Sequence, residues 1–161
     1  MRLTAHVLVV LAICRIVQGS ASAQSAIGEA EPFEGTWIMN AAKSTLSEPA
    51  APKARTLIID KRGSDFLYSI ETTNADGSIA RIRYTVPVRG GDGSFLEGPY
   101  DGVVHRRIDA YTREAEYRRA GKVLVTFAGR VSEDGRVLRI IAKNRDNQGH
   151  ETESVTVYEK R

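Results

Sequence analysis

Apolar residues along this chain recur at every second position rather than every third or fourth. Phe66, Tyr68 and Ile70 share one face of an extended segment; Ile82, Tyr84, Val86 and Val88 share a face of another; Val123, Val125, Phe127 and Val131 make a third. Period two is the signature of strands with one buried face. Between these segments the chain is punctuated by "NADG" at 74–77, "GGDG" at 90–93, "PYDG" at 99–102, "AGK" at 120–122, "EDG" at 133–135 and "DNQG" at 146–149. Glycine in such sequences accepts the positive φ of tight hairpin turns. The reading predicts nine or ten strands, over 33–40, 55–61, 65–73, 78–88, 94–97, 103–108, 113–119, 122–131, 136–143 and 151–160. The Ala/Pro/Ser-rich segment 41–54 is predicted to be a loop holding one short helical turn. Strands joined by tight turns form an antiparallel meander, and this many in one small domain either close or stack as a sandwich. Polar residues on both faces of "ARIRYTV" at 80–86 and "EAEYRRA" at 114–120 favour a barrel with a partly wet interior over a dry sandwich. The expected fold class is therefore all-β, an antiparallel up-and-down barrel of about eight to ten strands.

The first residues change the picture of where the protein works. Arg2 gives a positive start, Val7 to Cys14 is an apolar core, and Ala21-Ser22-Ala23 is a small-residue cleavage site, the pattern of a signal peptide. Arg15 ends the apolar run after eight residues, far short of the ~20 that cross a bilayer, so no membrane span is expected. The predicted organisation is a signal peptide over 1–23, a flexible lead-in over 24–31 and a barrel domain over 32–161, with a periplasmic or secreted location. Lipid anchoring through Cys14 is disfavoured because Ile13, not a small residue, precedes it. Cleavage after Ala23 leaves 138 residues without a cysteine, so stability must come from the core and a closed hydrogen-bond ladder. The net charge of +3 falls to +1, 21 basic against 20 acidic residues, which removes the electrostatic case for nucleic acid.

The opening Phe33-Glu34-Gly35-Thr36-Trp37 resembles the first strand of the calycin superfamily, the lipocalins and fatty-acid-binding proteins, whose barrels begin with Gly-x-Trp. The ending "VTVYEK" at 155–160 is similar to the last strand of the fatty-acid-binding group. More closely, 32–161 looks like the secreted bacterial proteins called lipocalin-like, through "GTW-x-x-N-x-x-x-S" at 35–44 with Lys43, "RID" at 107–109, "GKV" at 121–123 and the terminal "VYEK". The resemblance implies a calycin-like barrel whose first and last strands pair, closed by Gly35 and Trp37 with Lys160 or Arg161 as the cation across the indole. It implies fold and no reaction. Thr156 stands where fatty-acid-binding proteins carry the arginine of their Arg-x-Tyr pair, and there is no Thr-Asp-Tyr motif. Independently of family, Gly35 allows close approach of a neighbour and Trp37 is a large apolar plug whose N–H needs one partner.

The expected partner is a small hydrophobic or amphipathic molecule held inside the barrel. Phe66, Tyr68, Tyr84, Phe127 and Tyr158 are the expected lining, with Thr156 and Arg139 as candidates to fix a polar end. An inward Arg139 would anchor an anion; the opposite facing would put Leu138 and Ile140 inside and Arg139 in solvent, and Arg81 and Arg83 pose the same alternative. The basic runs at 105–107 and 118–119 sit among Asp109, Glu114 and Glu116, which points to a salt-bridged outer face. Beyond the leader the chain has only His105 and His150, with no His-x-His spacing, so neither a metal site nor a cofactor is expected and no catalytic residue is assigned. An enzyme in this cavity would have to use His105 or Tyr158 as acid or base. A barrel filled by its own side chains, acting as an envelope interaction protein, is the alternative to a binder.

Overall fold

The period-two segments pair in sequence order. In the computed structural model, which describes residues 31–47, 51–146 and 148–161, the described residues form ten strands. These are β1 (Gly35–Met39), β2 (Ala54–Arg62), β3 (Asp65–Thr73), β4 (Ile79–Pro87), β5 (Gly90–Glu97), β6 (Gly102–Arg107), β7 (Thr112–Arg119), β8 (Lys122–Val131), β9 (Val137–Arg145) and β10 (Glu151–Lys160). Each pairs antiparallel with the next, and β1 pairs with both β2 and β10, closing the barrel. Closure leaves no strand edge to template pairing with another chain. The expected signal peptide over 1–23, with Cys14 and the expected cleavage site, and the expected lead-in as far as 30 lie outside the described residues.

One turn is placed differently from the sequence expectation. "GGDG" at 90–93 is not a loop; it opens β5, pairing with Arg106 to Val103 on β6, and the chain reverses at Val88 and Arg89 instead. The glycines serve close packing here, since a Cβ on Gly93 would sit 2.2 Å from the Thr85 carbonyl oxygen. The hairpin between β7 and β8 keeps the expected chemistry. Ala120 and Gly121 take φ of 49° and 75°, the two positive values of a two-residue primed turn.

Inward-facing residues define two ends. At one end β1 begins and β10 finishes, with Trp37 opposite both Lys160 and Leu57. Trp37 is wholly buried and its indole Nε1 donates to the Phe33 carbonyl at 2.8 Å, so the one polar group of the plug is satisfied. Lys160 Nζ lies 4.8 Å from the indole centroid, a cation over the ring's negative face. Gly35, at φ 134°, is the residue that lets this lysine past, because a Cβ there would fall 2.8 Å from Lys160 Cε. Phe66, Ile59, Val86, Val131 and Leu138 complete this closed end, each at most 1% exposed.

At the other end the chain leaves β1 through a 3₁₀ turn, Ala41–Lys43, where the Asn40 side-chain oxygen accepts from the Lys43 amide at 3.1 Å. Thr45 then bridges to Val155 on β10. This holds the start of the long β1–β2 connection beside the barrel's second opening. The outer wall carries charge pairs, among them Arg81 with Glu71, Arg106 with Glu114 and Arg118 with Glu116, but the run at 105–107 is not wholly outward, since His105 is buried inside the barrel.

Candidate functional site

The alternation that builds the strands also fills the interior with rings. Phe66 and Tyr68 on β3, Tyr84 on β4, Phe127 on β8, and Thr156 and Tyr158 on β10 all share the inward parity of their strands. Phe66 meets Tyr68 edge-on at 6.1 Å, Tyr68 stacks on Tyr84 at 4.8 Å, and Tyr84 meets Tyr117 at 5.5 Å. Tyr117 then meets Phe127 at 4.6 Å and Tyr100 at 4.9 Å. An unbroken aromatic column thus runs from the closed end to the opening. Each such pair adds about 0.5–1.5 kcal/mol beyond area burial.

Arg139 is a correction. It is exposed on the outer wall opposite Arg130, because Leu138, at 1% exposure, and Ile140 take the inward parity of β9. Arg81 and Arg83 are likewise exposed. The arginines that do face inward are Arg113 on β7 and Arg55 on β2, and neither was singled out by the sequence. The signal was present for Arg113, which shares parity with Ala115 and Tyr117.

Two spaces lie inside this framework. The inner one, about 80 Å³, is bounded by Tyr68, Tyr84, His105, Arg113, Tyr117 and Phe127 over apolar Leu57 and Leu138. His105 is buried, and its Nε2 lies 3.2 Å from the Tyr84 hydroxyl. Burial, and secondarily the nearby Arg113 charge, depress its pKa from 6.5 to about 3. The neighbouring Arg106 is not a cause, since it is exposed and paired with Glu114. Burial also raises the Tyr84 phenol well above its usual value. Both groups are therefore kept in their neutral forms around pH 7, joined by one hydrogen bond.

The outer space is the mouth, about 420 Å³, lined by Leu46, Pro52, Arg55, Ile82, Tyr100 and Phe127 among others. Its size falls within the roughly 300–1,000 Å³ of small-molecule sites, whereas the inner space does not. Arg55 Nε donates to Thr72 Oγ1 at 3.0 Å, which holds the guanidinium in the lining of the mouth. Its charge also works against burial on the Tyr158 phenol, whose pKa is raised mainly by desolvation. Tyr158 and Thr156 are packed in the wall below; Ser154 and Thr152, two and four positions earlier than Thr156 on β10, reach the mouth itself. Tyr100, Tyr117 and Arg55 are site residues the sequence reading missed. Tyr100 sits in a turn motif, where periodicity carries no facing information.

No family model matches this chain, and no curated protein matches it. Solved structures do. The structure of zebrafish ileal bile acid-binding protein complexed with cholic acid superposes with a TM-score of 0.51 at 13% identity, over 81% of this chain and 99% of that one. The fold is calycin-like. Ring closure by β1 and β10, the strand order and the near absence of helix agree with that assignment. At this identity the likeness concerns the path of the chain and not its side chains. Among the described residues there is no cluster of His, Cys, Asp and Glu fit to hold a metal ion, and no helix is long and apolar enough to cross a membrane.

Proposed function

We propose that this protein is an exported carrier that holds a small amphipathic molecule in the mouth of its barrel. The observation that carries the reading is the 420 Å³ opening, where aromatic and aliphatic walls meet a single inward cation, Arg55. An apolar body against Tyr100, Ile82 and Phe127 would gain about 25 cal/mol per Å² buried. Arg55 would pair with an anionic or hydroxylated end. The zebrafish relative in fold was solved with cholic acid, a molecule of this kind, which supports the class and not the identity of the ligand. Export rests on the amino-terminal pattern of charge, apolar core and small residues.

The test is a thermal-shift series with cholate and straight-chain fatty acids, backed by native mass spectrometry of the gently purified protein. A ligand at a hundred times its dissociation constant is expected to stabilise by about 2.7 kcal/mol. A clean unliganded mass with no shift across the series would refute the carrier reading. The second reading, a barrel filled by its own side chains, draws on the 80 Å³ inner space, which is too small for such a ligand. It would then stand.

A further inference from the structure

Arg113 is the most deeply buried charge among the described residues, at 3% exposure. Its guanidinium carbon lies 5.3 Å from the Phe33 ring centroid and 4.9 Å from that of Phe66, so two apolar faces clamp it. Its charge partner is Glu31, whose Oε2 is 3.5 Å from Nη2, while the other carboxylate oxygen is taken by Arg107 at 3.0 Å. Two guanidinium ions therefore share one carboxylate, leaving one positive charge in excess. None of the three guanidinium nitrogens of Arg113 has a hydrogen-bond acceptor among the described residues. Leaving a buried charged donor unpaired is costly, by several kcal/mol.

A second orphan faces the same chamber. His105 is 4% exposed, and with the Tyr84 hydroxyl at its Nε2, its Nδ1 has no partner. A neutral imidazole has one donor and one acceptor nitrogen. When the Tyr84 O–H donates to Nε2, the hydrogen resides on Nδ1. His105 and Arg113 both line the 80 Å³ chamber together with Glu114, whose carboxylate is already paired with Arg106 on the outer side, and the other walls are mostly apolar. The unpaired donors of Arg113 and, in the tautomer that accepts the Tyr84 proton at Nε2, the Nδ1–H of His105 thus face one small space with a net positive charge.

We propose that this inner chamber binds a monoanionic group of nitrate or carboxylate size, held by the Arg113 fork and by His105 Nδ1–H. Size and charge both select it. A water-sized occupant takes about 30 Å³, so the chamber admits a planar anion of three or four heavy atoms and excludes an amphiphile's body. One excess positive charge is matched by a single negative one, and a dianion would overshoot. Arg113 offers the planar, bidentate geometry that such groups accept. The site adjoins the mouth, since Ile70, Tyr117 and Phe127 line both spaces.

The experiment is a thermal-shift titration with nitrate and formate at constant ionic strength, set against methanesulfonate, which is too bulky for the chamber. A saturable, anion-specific rise in Tm is expected, weakened about tenfold in apparent affinity by Arg113→Lys, which keeps the charge and loses the fork, and abolished by Arg113→Met. Equal shifts for all salts, or an undiminished response in Arg113→Met, would overturn the proposal. Because Arg113→Met removes a buried cation packed between two rings and so alters stability on its own, crystals soaked in bromide give a second readout on the unaltered protein. An anomalous peak between Arg113 and His105 is expected; water alone in the chamber would overturn the site. Affinity that stays flat from formate to hexanoate assigns the site to a free anion, and affinity that climbs with chain length assigns it to the headgroup of a longer molecule threading past Tyr117.

Discussion

The closed end and the mouth are built from the same ten strands and solve opposite problems. At the closed end Trp37, Phe66, Ile59, Val131 and Leu138 are at most 1% exposed, and every polar group of the plug has a partner. At the mouth Ile70, Ile82, Tyr100 and Phe127 pack against the core while remaining half-buried. β10 makes the contrast within one strand: Lys160 crosses the Trp37 ring at one end, and Thr152 and Ser154 line an opening at the other. A barrel of this kind concentrates its stability where it closes, which frees the other end to bind.

The largest expected effect breaks the closed end. Trp37→Ala removes the plug and should cost about 3–5 kcal/mol, read as a lowered denaturation midpoint; a loss below about 1 kcal/mol would mean that closure does not depend on this ring. The next tests the boundary between the two regions through pH. The unfolded chain takes up a proton at His105 near pH 6.5, whereas the folded chain resists until about pH 3. This contribution to stability is therefore complete above pH 6.5 and is lost as pH falls toward 3, by up to about 1.4 kcal/mol per pH unit. Urea midpoints at pH 7 and pH 5 should separate less in His105→Gln than in the parent. The smallest effect on stability belongs to the mouth. Arg55→Met should change unfolding free energy by no more than about 0.5 kcal/mol while weakening an anionic amphiphile about tenfold, as expected for loss of one charged hydrogen bond.

The sequence carried the architecture further than the site. Alternation placed β3, β8 and β10 over their observed residues, because each carries apolar residues at every second position between turn residues. It also put Tyr68, Tyr84 and Phe127 on inward faces. It misplaced the start of β5, where Gly90 to Gly93 carry no side-chain pattern and a glycine run reads as a turn. Arg139 was nominated and Arg113 overlooked for different reasons. On β9 either parity offers apolar residues, and only the pairing of Leu138 with Tyr158 decides between them. Arg113 earned its burial from Glu31, eighty-two positions earlier, and from rings on separate segments. Parity with Ala115 and Tyr117 gives its facing, but no local pattern reports the distant partners that surround it.

The most direct test of the mouth as the binding end is a ¹H–¹⁵N NMR titration of the protein with dodecanoate, an anionic amphiphile. The account expects saturable shifts concentrated at Arg55, Ile70, Ile82, Tyr100, Phe127 and Ser154, with the Trp37 indole resonance nearly still. Shifts absent throughout, or strongest around Trp37 and the outer wall, would contradict it.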